Sequence, residues 1–467
     1  MAFSDLSFLF ILFPVVLLAH KVMPAPGKNA VLLAFSLLFY AWGEPRYVVL
    51  MVLSILFNYY TGLAISAYKA QEKPKQAKFA LVSAVVMNLA LLGFFKYTGF
   101  LLGNVNALLK LNLSVPQMSM PIGISFFTFS ILSYLFDIYR DKAPLPRNIL
   151  DFSLFVTFFP KLVSGPIVQY AKMEEQIRER TIKPAAFGNG SRLFLIGLAK
   201  KMLLSNTLGT TFYALTAMKQ VSVVSAWLGA VCYALMLYYD FSGYSDMAMG
   251  ISKMFGFEFD KNFDYPYIST SITEFWRRWH ISLGAWFRDY VYIPLGGSRE
   301  GQSKTIRNLC IVWLLTGIWH GANWTFIVWG VYHGALLILE KFVLKDLLEK
   351  IPAPVRRIGT FLLVLIGWVF FFSPDLTSAL SWLGQMFGIG AAGFMDTTAK
   401  YYLASGWLTV LIGILGAGPI CTNMASNIYR GGKLPVALSV VWFAVLLVLC
   451  IAGMMTGTYA TFLYVQF

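Results

Sequence analysis

The sequence predicts an all-α, polytopic integral membrane protein, and three observations predict it. Of 467 residues 58% are hydrophobic and 16% aromatic, more apolar side chain than a soluble globule can bury. The mean hydropathy is +0.66, and the apolar runs reach the ~20 residues a helix needs to cross a bilayer. No polar stretch is long enough to build a water-soluble core of its own, so a single membrane domain over residues 1–467 is expected.

The elements follow in order. The run Phe3 to His20 has the length of a spanning helix, begins with Asp5 instead of basic residues and has no A-x-A cleavage site, which predicts a retained first helix and not a removed signal peptide. Further apolar runs lie near 30–43, 46–68, 79–103, 121–140, 190–217, 223–250, 308–340 (a hairpin), 357–373, 401–419 and 434–456. Together they predict about twelve crossings. The polar stretches 171–189 and 253–307 interrupt this pattern, and their Lys and Arg content puts both on the cytoplasmic side.

Loop charge sets the orientation. Lys69, Lys73, Lys75 and Lys78, then Arg140, Lys142 and Arg147, then Lys341, Lys345, Lys350, Arg356 and Arg357 mark three cytoplasmic loops, whereas 104–120 carries only Lys110 and 374–400 only Lys400. Alternation places both termini outside the cytoplasmic membrane. It also makes 308–340 enter and leave on the cytoplasmic side, with short arms meeting near mid-membrane, where irregular backbone survives only inside protein or beside a water-filled cavity.

The net charge of +15 is spread over many short loops instead of forming one stripe, the distribution of a basic-loop membrane protein and not of a nucleic-acid binder. Cys232, Cys310, Cys421 and Cys450 are far apart, with no C-x-x-C spacing, which argues against disulfides and against a thiolate metal site.

Three of the four histidines fall between Ser269 and Gly334, beside Trp, Arg and Gly in apolar surroundings. Imidazole and charge at membrane depth are costly, so this segment is the expected working region. Within 272–290, Ile272, Phe275, Trp276, Trp279, Leu283, Trp286, Phe287 and Tyr290 recur at helical spacing opposite Glu274, Arg277, Arg278 and Arg288, predicting one amphipathic interfacial helix. Ser271 with Glu274 reads as a capping box, and Pro294, Gly296 and Gly297 mark the end. His280 lies at the edge of the apolar stripe, where a hydrogen-bonded structural role competes with a functional one.

His320 sits in WLLTGIWHGANW with Trp313, Gly317 and Trp324 on its helical face and Gly321 beside it. Small residues let another backbone or a substrate approach. Because a neutral imidazole still needs hydrogen-bond partners in a low dielectric, function is favoured here over packing. The chemistry histidine suits is proton transfer near neutral pH, with His320 taking the proton of an acceptor hydroxyl. Asn323, one turn on, is a candidate either to orient that ring or to polarise a carbonyl. His333, about 220° around a continuous helix from His320, reads as structural.

No G-x-S-x-G elbow, Walker loop, H-E-x-x-H motif or metal-holding carboxylate pair is present, and no metal or permanently bound cofactor is expected. GYSDM at 243–247 lacks the final Gly of an elbow. Asp240 and Asp246, flanking a SGYS turn, are expected to find a structural salt bridge to a nearby Arg.

The blocks FWRRWHISLGAWFRDYVYIPLGGSR, GIWHGANWTFIVWGVYHG, YYDFSGYSDMAMGISKMFGF, FYAWGEPRY, FFPKLVSGPI and the closing FLYVQF resemble the membrane-bound O-acyltransferase family. The similarity is to the branch that O-acetylates exported polysaccharides such as alginate and that also includes the teichoic-acid D-alanyl transferase. The resemblance implies a bundle with re-entrant and interfacial helices around a central tunnel. His320 would be the essential histidine and His280 the second one, where a cytoplasmic donor tunnel meets an outward funnel. It further implies an acetyl group taken from a cytosolic thioester, acetyl-CoA, and passed to a sugar hydroxyl or to a serine of a separate extracytoplasmic SGNH-hydrolase-like partner.

Trp279, Trp313, Trp324 and Asn323 are candidates for the donor tunnel. Arg277, Arg278, Arg299, Lys304 and Arg307 are candidates for the donor phosphates, although the positive-inside bias explains such residues without a ligand. D-alanyl transfer is the nearest competing activity. A transporter is the competing class, against which stands the absence of paired, interrupted helices in two halves.

Overall fold

The computed structural model describes residues 3–116, 118–420, 422 and 433–456. Among them every regular element is helical: α1 (Phe13–Val22), α2 (Lys28–Gly43), α3 (Val48–Ala70), α4 (Pro74–Leu109), α5 (Ile124–Tyr139), α6 (Ile149–Thr157), α7 (Phe159–Leu162), α8 (Tyr170–Arg178), α9 (Pro184–Ala199), α10 (Asn206–Thr216), α11 (Val223–Met254), α12 (Ile272–Arg278), α13 (Ile281–Phe287), α14 (Gln302–His320), α15 (Trp324–Phe342), α16 (Lys345–Lys350), α17 (Ala353–Phe372), α18 (Leu376–Met386), α19 (Thr397–Gly416) and α20 (Lys433–Met455). Cys421 and the closing FLYVQF lie outside the described residues.

The chain packs as two compact units: the residues up to Phe194 with Met247–Asp260, and Leu195–Asp246 with the residues from Lys261 onward. In the first, α3 and α4 pack against each other, and Asn58 and Asn88 exchange amide hydrogen bonds of 3.1 and 2.7 Å in that contact. A polar clasp of this kind holds two helices whose outer faces are as apolar as lipid. The FFPKLVSGPI block forms the short α7, with buried Lys161 donating to Ser130 Oγ at 3.0 Å.

In the second unit α14 and α15 form the expected hairpin. A Cβ on Gly317 would lie 2.5 Å from Phe326 O, and one on Gly330 2.5 Å from Trp313 O. The glycines therefore admit the other arm's backbone. At 19 residues each, the arms are ~28 Å long, close to a full hydrocarbon thickness, and not the short arms expected. The chain also begins α14 six residues earlier than the apolar run, because the polar turn Gln302–Arg307 is helical despite its hydrophilicity.

Seven described helices are long and apolar enough to cross a membrane: α3, α4, α11, α15, α17, α19 and the Ala437–Met455 part of α20. Two further apolar helices, Phe8–Val22 and α5, are shorter. The run at 190–217 is cut into α9, a π turn at Lys200–Ser205 and α10, the turn carrying two lysines into the interior. GYSDM is no turn but part of α11, and the partners of its flanking acids are not Arg. Lys201 Nζ lies 2.6 Å from Asp240 Oδ1 with both side chains buried, and Lys200 Nζ lies 2.6 Å from Asp246 Oδ2.

One end of this unit is stitched from two connections that alternation puts on the same side. Val221 N donates to Gln385 Oε1 at 2.8 Å, Ala392 N to Val221 O at 3.0 Å and Val223 N to Gly393 O at 3.1 Å.

Candidate active site

The amphipathic helix expected over 272–290 is broken. Its start is as predicted: Ser271 Oγ accepts from Glu274 N at 3.0 Å. Glu274 returns its carboxylate one residue earlier than a capping box requires, to Thr270 N and Oγ1 at 2.8 Å, while Glu340 of α15 accepts the next two donors, Ile272 N at 2.7 Å and Thr273 N at 3.0 Å. The helix ends at Arg278, Trp279 is extended, and His280 takes a left-handed φ of +46° before α13 begins. A non-glycine residue held there is costly and persists only when its surroundings over-determine it.

The surroundings here are the segment 262–264, where Asp264 N donates to Arg278 O at 2.9 Å and Ile281 N to Asn262 O at 2.9 Å, clamping both sides of the bend. Asn262 also fixes the imidazole. Its Oδ1, an acceptor, lies 3.1 Å from His280 Nδ1 and takes Ser282 N at 3.1 Å and Ser282 Oγ at 2.8 Å, while its Nδ2 donates to Ser245 Oγ at 3.0 Å. Nδ1 therefore carries the proton and Nε2 the lone pair. Phe241 meets the ring edge to face at 4.6 Å. Burial outside the spanning helices pushes the His280 pKa from 6.5 down to about 3, so the ring is neutral at physiological pH.

His280 lines a cavity of about 880 Å³. Its buried lining includes Trp279, His280, Trp313 and Thr316; its exposed lining includes Arg277, Arg288, Lys341 and Lys345, with Arg356 half-buried beside them. Glu349, exposed, and Glu340, half-buried, also line it, so the charge at the mouth is net positive, which beside an aromatic interior suits a ligand with an anionic head.

His320 is the last residue of α14, where Gly321 turns the chain into extended geometry. Its ring is walled by Trp329, Trp319 and Phe371, with centroids 4.8, 5.0 and 5.2 Å away. It is not among the cavity's lining residues, but Thr316, one turn earlier on the same helix, is. The Trp319 ring is in contact range of both imidazoles, 6.4 Å from His280 and 5.0 Å from His320 between centroids.

The other expected residues divide. Arg277, Trp279 and Trp313 line the cavity. Arg278 does not: its guanidinium holds Glu274 Oε1 at 2.9 Å and Asp264 O at 3.0 Å. Lys304 pairs with Glu300 at 2.6 Å, and Arg307 binds Leu295 O and Asn308. Asn323 caps α15 by accepting Thr325 N at 3.1 Å and donates to Pro374 O at 2.7 Å, so its amide orients a helix and not an imidazole. Trp324 stands 52% exposed, away from the cavity. His333, expected to be structural, is buried and accepts at Nδ1 from Trp276 Nε1 at 3.3 Å. Sequence reasoning missed Asn262 and Glu340, for which the chain gives no local signal.

The chain belongs to the membrane-bound O-acyltransferase family, whose model matches residues 38–375, and it is accordingly an acyltransferase of the membrane. It is 42% identical over 394 residues to the probable alginate O-acetylase AlgI of Azotobacter vinelandii, covering 84% of this chain and 79% of that one. It is 36% identical over 424 residues to the peptidoglycan O-acetyltransferase of Helicobacter pylori, covering 83% and 80%. A more distant similarity, 28% over 338 residues and covering 68% and 81%, is to the teichoic acid D-alanyltransferase of Bacillus subtilis.

Proposed function

We propose that this acyltransferase takes an acetyl group from a cytosolic thioester, acetyl-CoA, and passes it to a hydroxyl of an exported or cell-wall polysaccharide of the alginate type, by way of a separate extracytoplasmic hydrolase-like partner. The observation that carries the reading is the 880 Å³ cavity, whose buried lining includes His280 and Thr316, one turn from His320, while its exposed lining carries Arg277, Arg288, Lys341 and Lys345 against Glu349. The phosphates of the donor sit among Arg277, Lys341 and Lys345, and the pantetheine arm lies along Trp279 and Trp313. The higher identity to two O-acetylating relatives than to the D-alanyl transferase favours acetyl as the acyl group.

His320 is the general base. It removes the proton as the acceptor oxygen attacks the thioester carbonyl; the C–S bond breaks, and the proton passes to the departing thiolate, leaving the ester and a free thiol. His280, held neutral by burial, is too weak a base for that step; its Nε2 accepts an amide N–H of the pantetheine arm and so positions the thioester. The test is a reconstituted system of protein, radiolabelled acetyl-CoA, acceptor and partner. His320→Ala should lower label transfer by about 10²–10⁴. Equal transfer by wild type and variant removes the base assignment.

A further inference from the structure

The side chain that holds the His280 imidazole is an amide, and its orientation is fixed by a donor with no alternative role. An amide turned end for end keeps its shape, and either end can face an imidazole nitrogen. Ser282 N, a backbone donor, lies 3.1 Å from Asn262 Oδ1, so the atom at that position must be an acceptor. Ser282 Oγ adds a second donor to it at 2.8 Å, and at the other end of the amide Nδ2 donates to Ser245 Oγ of α11 at 3.0 Å. The same Oδ1 lies 3.1 Å from His280 Nδ1, which selects the tautomer protonated there and makes Nε2 the acceptor atom of the ring.

A carboxylate at 262 would accept all three of these bonds and would also change the ring. An ionised acid beside an imidazole favours the charged form by about 1–3 pKa units. Once protonated, the ring carries N–H on both nitrogens and has no acceptor left. Among the described residues the acids on the elements packed round His280 are engaged elsewhere: Asp240 and Asp246 of α11 pair with Lys201 and Lys200, Asp264 and Glu274 with Arg278, Asp289 with Arg288, and Glu340 caps α12. Arg277 and Arg288 line the cavity with His280, and as cations they oppose its protonation. Phe241, Phe263 and Trp319, whose rings meet the imidazole, carry no charge. With an amide at 262 burial prevails, and the ring stays neutral down to about pH 3.

We propose that Asn262 is a positioning residue for the acyl donor: as a neutral amide that fixes the Nδ1–H tautomer of His280, it keeps Nε2 an acceptor for the pantetheine arm across the physiological pH range. The inference rests on the proposed contact of Nε2 with the donor and deepens it, since it names the side chain that sets the grip and the reason it is not an acid.

Asn262→Asp tests it. The change is nearly isosteric, and Ser245 Oγ can turn its proton toward the second carboxylate oxygen, so the bend at His280 is retained. Binding of a non-transferable thioether analogue of acetyl-CoA to the full-length protein in lipid nanodiscs is titrated by calorimetry at pH 8 and pH 5. The variant should match the wild type at pH 8 and bind about threefold to tenfold more weakly than the wild type at pH 5. Nitrogen-15 spectra of the histidine-labelled protein, which has four histidines, read the ring without any ligand. The wild-type His280 signals, identified by their loss in His280→Gln, should show a protonated Nδ1 and an unprotonated Nε2 at both pH values, and the variant should show Nε2 protonated at pH 5. An equal loss of affinity at both pH values, which a merely structural role would give, overturns the proposal, as does a variant that binds and titrates like the wild type. If the variant does not fold, the wild-type spectra still decide, because a ring protonated at Nε2, or one that gains a proton between pH 8 and pH 5, excludes the assignment. A wild type that binds no analogue sinks the donor reading itself, a failure told apart by the spectra, which need no donor.

Discussion

At the scale of single residues, His280 shows what a buried imidazole needs. Its strained backbone and its tautomer both depend on Asn262, which is 18 positions away in sequence and clamps the bend through main chain and side chain together. Burial makes its proton binding a stability term. The folded state holds the ring neutral down to about pH 3, whereas the unfolded chain binds a proton below 6.5. The contribution is therefore fully present above pH 6.5 and is lost as pH falls from 6.5 through 3. Thermal unfolding in detergent should show the wild type losing Tm between pH 7.5 and 5 more steeply than His280→Gln. Parallel curves would mean that the folded ring takes up protons freely.

At the scale of elements, the α14–α15 hairpin was readable from its apolar run, but the reason for its glycines was not. Gly317 and Gly330 sit where the two arms touch backbone to backbone, and the space they leave belongs to the partner helix, not to substrate. Gly330→Ala should lower the thermal stability by about 1–3 kcal/mol, the usual cost of overpacking. Gly359→Ala, in α17 with nothing within 4 Å of the new Cβ, should leave it unchanged or raise it. Comparable losses in both variants, measured by thermal unfolding of the purified proteins, would refute the close-crossing account. Over 272–290 the periodicity was real, since all eight stripe residues are buried or half-buried, yet one helix became two because the 262–264 segment pairs with the bend.

At the scale of the whole molecule, two lysines of the second unit are each matched by an aspartate of α11. Lys201 and Asp240 are 2% and 1% exposed and 2.6 Å apart, so the cost of removing one is the stranding of the other. Lys201→Met should destabilise the protein by about 3–5 kcal/mol, and the double variant Lys201→Met with Asp240→Leu should recover most of that loss. A double variant no more stable than the single one would show that the pair does more than neutralise itself. The Asp residues announced a need for partners in the sequence. That the partners are lysines from a π turn, 39 positions earlier in the case of Asp240, was decided by the packing of that turn on α11.

The sequence alone determined the membrane class, the helical character, the family and the segment that carries the histidines, because hydropathy and motif are properties of neighbouring residues. Tertiary structure decided which of those residues meet. It sent Arg277, Trp279 and Trp313 to the cavity with His280, turned Arg278 and Asn323 to structural work, and left His320 off the lining, one turn past Thr316 and against the Trp319 ring. Such choices depend on contacts such as Asn323 with Pro374, 51 positions apart, where only the folded backbone brings donor and acceptor within reach.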